Sequence, residues 1–284
     1  MKSSIKRIVV KIGSSSLSHE NGHLNLRSID RVARVLSDLS GAGMDVILVS
    51  SGAVSAGRAK LGFTHKPDTI EEKQALAAVG QAELMQIYER FFSDYGRSVA
   101  QILITRSTVD NETSKHNAQN TVNKLLSLGC VPIVNENDTV SFEEIEFGDN
   151  DTLAAYVAVL ADADMLINLS DIDGLYDADP HHNPDAKLIA NVPEITDAVR
   201  NCAGGSGSEL GTGGVVTKLH AAEIALAHGI PMVLTGGTHP EYIYDIIEGK
   251  PVGTFFGGSE KAQTEKALDG AEKAQTEKAD KSNY

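Results

Sequence analysis

Six short apolar runs recur along the chain: Ile8–Ile12, Val46–Val49, Val99–Ile104, Val131–Val134, Met165–Leu169 and Met232–Leu234. They are rich in Val, Ile and Leu and too short for helices. Near-continuous apolarity marks strands covered on both faces, as in a parallel sheet. Helical periodicity fills the intervals. Ile29, Val32, Ala33, Leu36 and Leu39 fall on one helical face. Gln74–Phe92 predicts a longer helix, and Asn117–Leu128, Thr152–Leu160 and Thr217–Ala227 predict three more. Strand–helix–strand alternation predicts an α/β fold, with a mainly parallel sheet and helices on both faces. Ligands of such sheets sit beyond the carboxyl ends of the strands. Thr139–Phe147 alternates poorly and reads as a hairpin over that edge.

The pattern changes at the C-terminus. Glu260–Ala267 reads Glu-Lys-Ala-Gln-Thr-Glu-Lys-Ala, and Glu272–Ala279 repeats it. Such a segment is apolar only through Ala and buries too little surface to fold alone, although Ala, Glu and Lys favour transient helix. The expected division is a globular domain over 1–256 and a disordered or transiently helical tail over 257–284.

Composition narrows the class. The 284 residues are 41% hydrophobic, ordinary for one large domain or two small ones. A net charge of −14 argues against a nucleic-acid partner but leaves room for an anionic ligand held by a few lysines. Two cysteines, Cys130 and Cys202, give no disulfide framework and suggest a reducing compartment. Lys11 interrupts the first apolar run, so a signal peptide is not expected. No apolar stretch approaches the roughly 20 residues that cross a bilayer. The expectation is a cytoplasmic protein without membrane contact.

Candidate chemistry collects after the strands. The polar segments are Lys11 with Gly13-Ser14-Ser15-Ser16, Ser50-Ser51-Gly52, Asn135-Glu136-Asn137-Asp138, Gly148-Asp149-Asn150-Asp151 and Ser170-Asp171-Ile172-Asp173-Gly174. Turn chemistry alone favours such residues. The run from Gly204 to Lys218 is glycine-rich and feeds a helix, an arrangement suited to phosphate. It is not a P-loop, because Lys218 follows Gly214 by four positions. A plain Gly/Ser linker is the alternative. Lys11 lies inside an apolar strand, where an unpartnered lysine is rarely buried. It serves either a ligand or, on an edge strand, reaches out to solvent. Asp151 reads as a first-turn acid, and Asp138 and Asn150 as turn formers, unless a ligand recruits them. Asp171 and Asp173 lack the spacing of a calcium loop. No G-x-S-x-G elbow, zinc-spaced Cys/His set or G-x-G-x-x-G after the first strand is present.

Taken in order, Val9-Val-Lys11-Ile-Gly13-Ser-Ser15, Ser50-Ser51-Gly52-Ala-Val-Ser-Ala-Gly57, Ala77-Ala-Val-Gly-Gln81, Val134-Asn135-Glu-Asn-Asp138, Phe147-Gly148-Asp-Asn150-Asp151, Asp173-Gly-Leu-Tyr176, Ala178-Asp-Pro180 and Gly211-Thr-Gly-Gly-Val-Val-Thr-Lys218 resemble the amino-acid kinase family in its glutamate-phosphorylating branch. The resemblance runs from Ile8 to about Phe256. It implies an αβα sandwich around a largely parallel sheet of about eight strands. It also implies ATP-dependent phosphorylation of the γ-carboxylate of L-glutamate, the first step toward proline. Mg²⁺ would be held by the phosphates of ATP, without a protein metal site. By resemblance, Lys11 and Lys218 flank the transferred phosphoryl group and Asp151 orients them. Ser51, Gly52, Asn135, Asp138 and Asn150 match the glutamate-binding set. Lys11, Gly13, Ser14, Ser170, Asp171, Gly211, Thr212, Gly213, Gly214, Thr217 and Lys218 match the nucleotide-binding set. The family further implies a homodimer or homotetramer, feedback inhibition by L-proline and contact with glutamyl phosphate reductase. A carboxylate acceptor is already ionised at neutral pH, so no general base is required. Asp138 would pair with the substrate ammonium.

The sequence departs from the family pattern at Ser50, where Thr is expected, and at Val215, where Met is common. Many members carry a C-terminal PUA module, for which this chain has only the repeat tail. Two other readings stand beside the first. One is the same fold acting on N-acetylglutamate, aspartate or carbamate. The other is a catalytically silent amino-acid sensor.

Overall fold

The computed structural model describes residues 5–19, 21–65, 67–140, 150–180, 182–203 and 214–258. The elements run β1 (Arg7–Ile12), α1 (Ser14–Leu17), α2 (Leu26–Gly41), β2 (Asp45–Ser50), α3 (Ala53–Leu61), α4 (Ile70–Asp94), β3 (Val99–Ile104), α5 (Arg106–Asp110), α6 (Glu112–Ser127), β4 (Val131–Glu136), α7 (Asn150–Leu160), β5 (Met165–Ser170), β6 (Asn191–Val192), α8 (Asp197–Ala203), α9 (Gly214–Ala227), β7 (Met232–Gly236), α10 (Tyr242–Ile247) and β8 (Thr254–Phe256).

All six apolar runs are strands of one sheet, ordered β3-β4-β2-β1-β5-β7-β8-β6. From β3 to β7 every neighbouring pair is parallel, so six carboxyl ends share one edge. β8 runs antiparallel to β7, and β6 pairs with β8. Neither β6 nor β8 was expected, because two or three residues carry no readable periodicity. β1 lies in the middle: Lys11 sits between Val49 of β2 and Asn168 of β5. This overturns the edge-strand reading of Lys11.

Period two along β1 divides the core. Ile8, Val10 and Ile12 pack with Ile29, Val32 and Leu36 of α2 and with Leu84, Tyr88 and Phe92 of α4. Val9 faces the other layer, with Leu153, Ala154 and Val157 of α7 and Ala221, Ala222 and Ala225 of α9. The result is the expected αβα sandwich. α4 begins earlier than its apolar pattern, where the Thr69 hydroxyl accepts from the Glu72 N–H at 3.2 Å. α3 escaped the pattern because its alanines and Gly57 give a faint amphipathic signal. The same small residues let it cross α4 at close range. A Cβ on Gly80 would lie 1.7 Å from the Ala53 carbonyl oxygen, and one on Gly57 2.0 Å from that of Leu76.

Among the described residues no helix is long and apolar enough to cross a membrane. The expected hairpin falls mostly on 141–149 and the repeat tail on 259–284, both outside the described residues. So do Gly211, Thr212 and Gly213.

Candidate active site

Lys11 occupies the last turn of the pleat in β1, pointing toward the α7–α9 layer. Asp151 stands in the first turn of α7, and Lys218 one turn into α9. The three side chains meet although 140 and 67 positions separate the lysines from the acid. Lys11 Nζ pairs with Asp151 Oδ1, and Lys218 Nζ with Asp151 Oδ2 at 3.2 Å. Lys11 is 6% exposed, Lys218 5% and Asp151 1%. Asn168 Nδ2 also donates to Oδ1, at 2.9 Å, and the Thr217 hydroxyl to Oδ2, at 3.3 Å. Each carboxylate oxygen thus has two donors. Lys218 Nζ donates as well to the Gly214 carbonyl at 2.8 Å. Two ammoniums share one buried carboxylate, leaving one net positive charge on the triad itself, with the Asp171 carboxylate in the field of both lysines. An anion would complete it.

The rim of this triad is built from strand ends. Gly13 follows β1, and its N–H donates to the Leu169 carbonyl at 3.3 Å. A Cβ at Gly13 would stand 3.4 Å from Lys11 Nζ, so glycine keeps the ammonium approachable. Ser14 opens α1 and is exposed. Ser170 ends β5, and its hydroxyl donates to Asp171 Oδ1 at 2.8 Å. Burial pushes the Asp171 carboxyl up, but that hydroxyl, its own N–H and the charges of Lys218 and Lys11 together hold it below its usual range. Thr217 and Gly214 lie in the first turn of α9.

A second cluster adjoins the first through Asn150, the residue before Asp151. The two hydrogens of Asn150 Nδ2 face three acceptors, the Ser50 carbonyl at 3.0 Å, Ser51 Oγ at 3.0 Å and Asn135 Oδ1 at 2.9 Å. Ser51 and Asn135 come from the ends of β2 and β4, so three of the expected acceptor residues converge. Gly52 follows at φ +101°, a left-handed conformation that glycine adopts freely, and starts α3. Asp138 lies in the turn after β4, half-buried, and no hydrogen bond among the described residues joins its side chain to Ser51, Asn135 or Asn150. Its carboxyl is pushed up to about 6 by burial and by the charge of Glu136, against the pull of its own N–H.

Three residues of this site were given no role in the sequence reading, although Gln81 closes one of the quoted family motifs. Asn168 has the same signature as Lys11, a polar residue inside an apolar strand, and is 1% exposed. Gln81 accepts from Asn135 Nδ2 at 2.9 Å, and the Tyr88 hydroxyl lies 2.8 Å from Ser50 Oγ. Both belong to the α4 face that reads as plain core. Ser50, the departure from Thr, thus keeps its hydroxyl bonded. Among the described residues no group of three or more His, Cys, Asp or Glu gathers to hold a metal.

The sequence pattern of the amino acid kinase family matches residues 6–236. A glutamate 5-kinase of Clostridium perfringens is 53% identical over 255 residues, covering 88% of this chain and 95% of the relative. One of Listeria innocua is 49% identical over 260 residues, covering 90% and 94%. Among solved structures, an isopentenyl phosphate kinase of T. acidophilum superposes with TM-score 0.59 at 18% identity, over 88% of this chain and 99% of that one. A UMP kinase of Bacillus anthracis gives 0.57 at 16%, over 89% and 96%. The two structures speak for the fold alone. The sequence matches, spread over the same elements that carry the buried triad, go further: this chain belongs to the amino acid kinase family.

Proposed function

We propose that the protein transfers the γ-phosphoryl group of ATP to the γ-carboxylate of L-glutamate, forming L-glutamyl 5-phosphate for proline synthesis. The observation that carries the chemistry is the pair of buried ammoniums on one buried carboxylate at the carboxyl edge of the sheet. The relatives named glutamate 5-kinase, about half identical over most of the chain, carry the choice of acceptor.

The reaction brings an anion to a polyanion. Lys11 and Lys218 would flank the moving phosphoryl group and stabilise charge as it develops. Asp151 acts through them as a positioning residue. With two donors on each oxygen it is not a base, and an ionised carboxylate acceptor needs none. The two ammoniums, which share the single carboxylate of Asp151, fit a phosphate chain. Mg²⁺, held on phosphate oxygens and water, would supply further charge neutralisation. Gly13, Ser14, Ser170, Asp171, Gly214 and Thr217, together with Gly211, Thr212 and Gly213, would meet the nucleotide. Ser51, Gly52, Asn135 and Asn150 would receive glutamate, with Asp138 pairing its ammonium.

We read 1–256 as the kinase domain, in keeping with a last strand that ends at Phe256. The same reading carries inhibition by L-proline, a dimer or tetramer, contact with glutamyl phosphate reductase and a cytoplasmic location. The test is acyl-phosphate formation from ATP, trapped as a hydroxamate, with L-glutamate, L-aspartate, N-acetyl-L-glutamate or no acceptor. Signal with L-glutamate alone is expected. Signal only with another acceptor would overturn the substrate, and no signal at all would leave a silent sensor.

A further inference from the structure

The acceptor cluster contains an amide relay whose polarity is set from outside it. Its fixed point is the Ser50 carbonyl, which only accepts. Asn150 must therefore turn its amino group toward Ser50, since the reverse orientation would oppose two carbonyl oxygens at 3.0 Å. Asn135 must then offer Oδ1 to Asn150, and its own amino group is left pointing at α4. There Gln81 receives it through Oε1 at 2.9 Å. The chain of donors and acceptors is consistent only if the residue on α4 accepts.

We propose that Gln81 is a positioning residue for the acceptor, which locks this relay so that Asn150 Oδ1 and the Ser51 hydroxyl hydrogen face the substrate. This rests on the reading of Ser51, Asn135 and Asn150 as the glutamate site. The two amide hydrogens of Asn150 serve Ser50 and Asn135 in this relay, so Ser51 Oγ, 3.0 Å from Asn150 Nδ2, at most shares one of them; no acceptor among the described residues takes the Ser51 hydroxyl hydrogen, which is left to donate to a carboxylate. Asn150 Oδ1 receives no hydrogen bond among the described residues, and a carbonyl oxygen suits an ammonium. The site would thus offer a donor and an acceptor side by side, the pairing an α-amino acid requires.

The same helix holds the loop at a second point. Tyr88 stands two turns beyond Gln81, on the same face, and is fully buried. Its hydroxyl meets Ser50 Oγ, which donates in turn to the Ser51 carbonyl at 2.9 Å. α4 thereby steadies the ends of both β2 and β4. Gly80 and Gly57 allow α4 its close approach to α3.

The test compares Gln81→Met, which keeps the length and removes the acceptor, with Gln81→Glu, which keeps an acceptor. KM is measured for each substrate with the other saturating. Leaving a buried donor unpaired is expected to raise KM for L-glutamate about tenfold in Gln81→Met. KM for ATP should stay within about twofold, and Gln81→Glu within about threefold of the parent for both. Equal changes in the two KM values, no rise for glutamate, or a Gln81→Glu variant as impaired as Gln81→Met would make Gln81 a packing residue and overturn the proposal. If Gln81→Met does not fold, Gln81→Leu carries the test: it removes the same acceptor with a different apolar shape, and the same acceptor-selective rise is expected. An unchanged or unselective KM there overturns the proposal equally. The parent protein's acceptor profile is measured first. Should it prefer another acceptor, the substrate reading fails, while the relay is still tested on the KM of that acceptor.

Discussion

At the residue scale the triad is held by mutual need. Asp151 is buried with at least four donors within reach, and each lysine is buried because Asp151 is there. Replacing Asp151 with Asn keeps the shape and removes the charge. Lys11 and Lys218 would then repel one another out of reach of water. Breaking a buried ionic cluster by removing one partner costs about 3–5 kcal/mol, so a fall of that size in urea-unfolding stability is expected for Asp151→Asn. ATP should recover part of it, because a polyphosphate supplies the missing charge. If nucleotide raised the melting temperature of the variant no more than that of the parent, the role given to Asp151 would fail. Asp138 presents the opposite case, a carboxyl kept uncomfortable. Its ordinary value is 3.8 and the folded value about 6. Between those limits the unfolded chain has released the proton that the folded protein retains. Stability is therefore expected to fall as pH rises from about 4 to about 6, by up to about 3 kcal/mol, and Asp138→Asn should abolish that slope. Function runs the other way. Below pH 6 the carboxylate that would pair with the substrate ammonium is lost, so KM for L-glutamate should climb toward tenfold per unit. Asp138→Asn should show a high, flat KM. A parent profile that stays level from pH 5 to 7 would remove Asp138 from the acceptor site.

At the element scale the close pair is α3 with α4. Gly80→Ala places a methyl carbon where the Ala53 carbonyl already lies. The helices must part, and overpacking of this kind costs about 1–3 kcal/mol, sometimes more. The upper end is expected here, since the obstacle is backbone. Val79, the preceding residue on the same helix, is exposed, and Val79→Ala should change stability by no more than about 0.5 kcal/mol. Equal effects at the two positions would mean that the crossing is looser than it looks. This crossing also marks how far the sequence could be read. Strands β1 to β5 and β7 announced themselves as runs of Val, Ile and Leu, because burial on both faces leaves no room for alternation. Lys11 stood out against such a run, and Asn168 did so less loudly, being uncharged. α3 did not stand out, since its small Ala and Gly residues give little amphipathic contrast, and Gly also lowers helix propensity. The roles of Gln81, quoted only as part of a family motif, and of Tyr88 were hidden for another reason. On a helix of Ala, Leu and Met a lone polar residue reads as core, and its meaning lies in partners 54 and 38 positions away. Periodicity reports the face an element buries, whereas a polar contact between layers depends on how a helix crosses the strands beneath it.

At the scale of the whole molecule, the active edge is at odds with its surroundings. The chain carries a net charge of −14, yet the buried triad is positive. An approaching nucleotide meets both fields, and ionic strength decides their ratio. The Debye length is about 30 Å at 0.01 M and about 8 Å at 0.15 M. At low salt the repulsion of the entire acidic surface reaches the nucleotide. At physiological salt that long-range part is screened. The lysines act within a few ångströms at low dielectric and are screened far less. KM for the Mg²⁺–ATP complex is therefore expected to fall as salt rises from 0.01 to 0.15 M, by roughly two- to fivefold. L-Glutamate carries about half the net charge of that complex, so its KM should move in the same direction by about the square root of that factor. A surface that steers nucleotide toward the site by a positive patch predicts the reverse, a KM that rises with salt as attraction is screened. Measuring both KM values across that range separates the two pictures. A rise for ATP would mean that positive groups beyond Lys11 and Lys218 extend the site outward to the protein surface.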